Sequence, residues 1–240
     1  MRVIEIDDPA GWPESLRRAA SSAAASARGT TDNTVDLRLG DVDLWHLRDA
    51  LAGQEVLVFH ATRLLPHEVA DIARDGLRAL DLDLIVRKID SAVARGHVTA
   101  DDARTLLADH AKIDGSAGNR AGQVCATVSL RALDRNVHGV LPLLTQWGGE
   151  VIYQAHTRGP LARKLTNLGQ PALVAFVAPA LRDGDSWFPS IESVVVGAAL
   201  GLPDANADVF VCSDVAPEDV RGVWAPGSPD YDAHPLLPRQ

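Results

Sequence analysis

Residues 56–77 read VLVFHATRLLPHEVADIARDGL, and the order of apolar and polar positions in this stretch decides the fold. Four apolar residues, 56–59, make a short strand-favouring run that ends at a polar group, His60. After Leu64-Leu65-Pro66 the period changes. Val69, Ile72 and Leu77 fall near helical spacing, and Gly76 supplies the stop. The stretch is strand, loop, helix, and it delivers an imidazole, a hydroxyl and a guanidinium in quick succession at His60, Thr62 and Arg63.

Downstream, residues 81–95 place Leu82, Ile85, Val86, Ile89 and Val93 on one helical face before Gly96. Thr99-Ala100-Asp101-Asp102 then has the form of a capping box for a second helix reaching residue 112. Residues 113–122, IDGSAGNRAG, hold three glycines and no apolar period, as expected of a mobile loop beside a site. The pattern beyond predicts strands at 123–130, 150–156, 172–178, 191–197 and 208–212, with helices at 140–147 and 160–168. Upstream, 17–28 and 41–52 predict two helices.

The domain reading follows: an N-terminal helical extension packed on the core at 1–53, one domain at 54–224 with a helical insertion at 81–112, and a Pro-rich tail at 225–240. The fold class is α+β. A length of 240 residues with 46% hydrophobic and 23% charged positions suits one elaborated globular domain.

Bulk properties exclude several classes of function. No stretch approaches the ~20 apolar residues of a membrane span, and the first residues lack the order of a signal peptide, so a cytoplasmic protein is expected. A net charge of −9 disfavours general polyanion binding. Cys125 and Cys212 have no CxxC spacing and no HExxH occurs, so neither a disulfide framework nor a metal is expected. The absence of GxGxxG after a strand, of GxxxxGK[ST] and of GxSxG argues against Rossmann, P-loop and α/β-hydrolase sites.

The HATR segment, on a strand feeding a helix with a Gly-Leu stop, resembles the ADP-ribosyltransferase superfamily, whose first core strand ends in an H-x-T-type motif. Residues 122–129, GQVCATVS, lie where that family has its second motif strand, and 211–223, VCSDVAPEDVRGV, is similar to its closing strand. The resemblance implies a split, mixed or antiparallel sheet core and NAD as a substrate. It further implies that His60 holds a ribose hydroxyl, with Ala61 and Thr62 beside it and Arg63 as the diphosphate contact. It also implies a carboxylate next to the ribose and an aromatic plate for nicotinamide.

The chain has no ring on the second motif strand, and Trp147 and Tyr153, around the double glycine of LTQWGGEVIY, are the candidates for the plate. Three acids compete for the carboxylate. Glu150, which opens the expected 150–156 strand among those rings, is favoured by that setting over Glu192 and Asp208, which sit at the starts of two later expected strands. The target is open among protein, nucleic acid and small molecule. An RNA 2′-phosphotransferase-like enzyme and an inert nucleotide-binding or immunity module of the same fold are the alternatives.

Overall fold

The apolar run around residue 58 forms a strand longer than its pattern predicts, because both of its faces are covered. In the computed structural model, which describes residues 3–27, 34, 37–110, 120–134 and 140–239, strand β2 spans Glu55–Leu64. Val56, Val58 and Leu64 enter one core, and Phe59 and Ala61 enter another. His60 and Thr62 share the face of Val58, by the two-residue period of a strand.

Along one edge β2 pairs in full with β4 (Gln170–Pro179), from Glu55↔Pro179 to Leu64↔Gln170. The other edge is divided. The short β1 (Val3–Ile4) runs parallel to its beginning, and β3 (Val124–Thr127) meets it in register only at Phe59↔Thr127. Beyond Phe59, β2 and β3 part. Strand β3 pairs with β6 (Asp208–Val211), β6 with β5 (Ser186–Phe188), and β4 with β7 (Val220–Trp224). The sheet order is β5-β6-β3-β2-β4-β7 with β1 beside β2, antiparallel throughout except for β1. The molecule is α+β.

Helices α1 (Glu14–Ser26) and α2 (Asp41–Leu51) bury Leu16, Ala20, Leu47 and Leu51 in the same core as Val56 and Val58. The N-terminal region is thus built into the sheet and its main core. Helix α3 (Pro66–Asp75) follows β2 and stops at Gly76, with φ of 79°. A Cβ there would lie 2.0 Å from the Val215 carbonyl oxygen, so only glycine lets Leu77 pair with Val215.

The insertion forms α4 (Leu82–Ala94), capped by Asp81, and α5 (Ala100–His110), opened by the reciprocal Thr99–Asp102 bonds that the sequence predicts. Short helices α6 (Leu130–Asp134) and α7 (Leu141–Thr145) follow β3. Residues 113–119 of the Gly-rich segment lie outside the described residues; Arg120 to Gly122 lie within them.

Two expected strands are helices. Residues 150–156 form α8 (Glu150–Tyr153) and a 3-10 turn (Gln154–His156). Gly148 and Gly149, at φ of 103° and 72°, turn the chain into the helix, and Glu150 enters its first turn, where the helix dipole favours an acid. After α9 (Gly159–Asn167) and β4, residues 191–197 form α10 (Ile191–Ala199), with the Ser190 hydroxyl accepting from Ser193 N at its start. Its valines are buried between the sheet and α1, and a run buried on every side has no period to separate helix from strand. The tail adds α11 (Pro229–Asp232), whose Tyr231 is fully buried and donates to the Pro238 carbonyl at 2.7 Å. Among the described residues no helix is long and apolar enough to cross a membrane.

Candidate functional site

The site begins where the β2–β3 ladder ends. With the strands parted, the Cys125 carbonyl takes its hydrogen bond from a side chain, His60 Nδ1, at 2.7 Å. A carbonyl only accepts, so Nδ1 carries the proton and Nε2 is left as an acceptor. Burial pushes the His60 pKa below its ordinary 6.5; the Cys125 bond works against this and the Lys88 ammonium works with it. The imidazole is therefore neutral at pH 7.

His60, Ala61 and Thr62 line a cleft of about 260 Å³ opened by this separation. On the α3 side, a second cavity of about 420 Å³ shares His60, Thr62, Leu77, Arg78 and Lys88 with it, so His60 stands in a wall common to two chambers.

Across the cleft, Asp208 and Phe210 project from one face of β6 opposite Thr127 and Cys125 of β3. Glu150, at the first turn of α8, also lines it, with its side chain 28% exposed and its carboxylate 3.0 Å from Arg120 Nε. The same guanidinium donates to Cys125 Sγ at 3.2 Å and lies 5.5 Å from the Phe210 ring centre. Burial pushes the Cys125 thiol above its ordinary range, with Arg120 opposing, so this is a weak nucleophile. The cleft thus combines an imidazole acceptor, two carboxylates, a ring and a guanidinium.

Four sequence candidates are placed elsewhere. Arg63, one residue out of phase with His60, turns into the structure and donates to the carbonyls of Leu168 (2.6 Å), Gly169 (3.0 Å) and Leu144 (3.3 Å). A guanidinium so occupied holds loops together and contacts no diphosphate. Trp147 is fully buried, with Nε1 donating to Glu68 Oε2 at 2.9 Å and the Lys88 ammonium 5.1 Å from its ring centre. Tyr153 packs in the same cluster, its phenol pushed up to about 12 by burial, with Glu150 adding to the shift and Arg120 opposing. Neither ring lines the cleft, because the helical course of 150–153 turns Tyr153 into the core formed with α4 and α5. Glu192 lies on α10, its side chain only 4% exposed and paired with Arg48 of α2 at 2.7 Å. That pair belongs to the packing of the N-terminal helices.

Sequence reading misses Phe210. The sequence resemblance implies a ring on the strand formed by β3, where there is none; Phe210 of β6 lines the cleft directly opposite that position, at Cys125↔Phe210. The alternation in DVFV, with Asp208 and Phe210 on one face, is the signal that could have shown it.

No family model, curated protein or solved structure matches the chain.

Proposed function

We propose that the protein is an NAD-dependent ADP-ribosyltransferase. The observation that carries this reading is the pairing, across one cleft at the parting of β2 and β3, of a neutral imidazole acceptor with a carboxylate and an aromatic ring. In such a transfer the bond between ribose C1′ and the nicotinamide nitrogen breaks, its electron pair leaving with nicotinamide. The acceptor bonds to C1′ and gives its proton to water.

Positive charge passes from the pyridinium to the ribose as the bond stretches, so a fixed carboxylate beside the sugar lowers the barrier. Glu150 takes that role, with Asp208 as the second carboxylate. His60 Nε2 accepts a bond from a ribose hydroxyl, Phe210 provides the surface for nicotinamide, and Arg78 replaces Arg63 as the diphosphate contact.

NAD is expected to raise the melting temperature of the parent protein. At a hundredfold excess over Kd the stabilisation is about 2.7 kcal/mol, a shift of roughly 5–10 °C for a chain of this size. His60→Ala should lose that shift while melting cooperatively. In the parent, the shift should persist as pH falls below 6.5 and vanish only at the lower value where native His60 takes a proton. Without ligand, stability itself declines across that window, because the unfolded chain binds a proton there that the folded one does not. An unchanged shift in His60→Ala removes His60 from the site.

A further inference from the structure

Arg120 occupies the part of the cleft where the proposed reaction needs a cation. Its guanidinium meets the Glu150 carboxylate, the Cys125 thiol and the Phe210 ring together. Burial opposes the charge of Arg120, while Cys125, Glu150 and Asp208 favour it. Of the other cations lining the cleft among the described residues, Lys88 pairs with Glu68 and Arg78 pairs at the surface with Asp81, so neither is the cation that meets Glu150. Without Arg120, Glu150 would lose the cation that meets it in a partly closed space beside an aromatic ring.

We infer that the niche formed by Glu150, Asp208, Cys125 and Phe210 is a binding site for a planar, delocalised organic cation, and that Arg120 fills it until such a ligand displaces the side chain. The fit is chemical as well as electrostatic. A guanidinium and a pyridinium are both flat, weakly hydrated cations that bind over an aromatic face, unlike a compact ammonium. A tethered side chain competes at an effective concentration in the millimolar range, so it weakens any free cation that binds at similar strength. The device discriminates the oxidised pyridinium from neutral nicotinamide: the cation replaces the charge that leaves with Arg120, and the neutral ring does not. The inference rests on the transferase reading only for the identity of the natural ligand.

The test uses the full chain without NAD. The parent protein and Arg120→Ala are titrated with 1-methylnicotinamide chloride, methylguanidinium chloride and neutral nicotinamide at matched ionic strength, with binding read by calorimetry and melting temperature. Both cations should bind Arg120→Ala about tenfold more tightly than the parent, with no gain for nicotinamide. Adding Phe210→Leu should remove the gain.

Equal cation affinity in parent and variant overturns the inference, as does an equal gain for neutral nicotinamide, which would mean that only space was freed. A gain for the pyridinium alone supports it with NAD as ligand. A gain for methylguanidinium alone supports it with an arginine-like ligand and counts against NAD. Arg120→Gln is the second variant, retaining a donor for Cys125 without the charge; if neither variant folds, Arg120 is framework and the inference fails. Cation binding without any nicotinamide release from NAD would remove the transferase reading and leave the niche standing.

Discussion

Glu150→Gln should reduce nicotinamide release from NAD by a factor of about 10² to 10³, a larger loss than any it causes in the NAD-induced stabilisation. The substitution keeps the shape of the side chain and deletes its charge. A carboxylate that stabilises charge on the ribose acts mainly in the transition state, so its loss appears in turnover more than in binding. The expected range, roughly 3–4 kcal/mol of barrier, is that of one well-placed electrostatic group. The structure also supplies the control. Glu192 faces Arg48 among the N-terminal helices and is absent from the cleft lining, so Glu192→Gln should turn over at the parent rate per folded molecule. Asp208 does line the cleft, and Asp208→Asn belongs in the same series. Normal turnover by Glu150→Gln beside an inactive Asp208→Asn would transfer the role to β6.

Trp147→Ala should destabilise the fold more than any of the cleft substitutions, by about 3–5 kcal/mol, with a fall in melting temperature of roughly 10 °C or more. The indole is fully buried in the cluster that joins α4, α5, α8 and α9. Its removal leaves a cavity and deprives Glu68 of a hydrogen bond. That carboxylate is a junction: it accepts from Trp147 Nε1 and from the Leu65 backbone N–H at 2.7 Å, and it pairs with Lys88. Trp147→Phe keeps a ring but loses the bond and part of the packing, so its cost should be smaller than that of Trp147→Ala, about 1.5–3 kcal/mol. Denaturant melts of the three proteins check the order. NAD binding per folded molecule should survive both changes; a stable Trp147→Ala that no longer binds NAD would restore the ring to the site.

The order strand then helix in residues 56–77 was legible because its main signals had one meaning, although the strand continues to Leu64 where the pattern ends it at His60. The apolar run, the Pro at the start of α3 and the glycine demanded by the Val215 contact all agreed. The Thr99–Asp102 box was legible for the same reason. The errors fall where a local pattern has two physical readings. IESVVVG is strand-like by propensity and becomes a helix because sheet and helix α1 enclose it, and GGEVIY becomes a helical turn because two positive-φ glycines place Glu150 at its start. Those turns decide the site.

Arg63 and His60 are three residues apart and look alike in sequence as polar groups at the end of a strand. Strand alternation sends them to opposite faces, one to the cleft and one to three buried carbonyls. The partnership of Arg120, Glu150 and Phe210 joins residues up to 90 positions apart, and no spacing rule within one segment reports it.

The most direct measurement is release of nicotinamide from NAD by the purified protein, with and without a cell lysate as the source of acceptor. An ADP-ribosyltransferase should release it above the spontaneous rate, faster with the acceptor, and the activity should be lost in Glu150→Gln. A folded, monodisperse parent protein that releases no nicotinamide under either condition would contradict the transferase assignment.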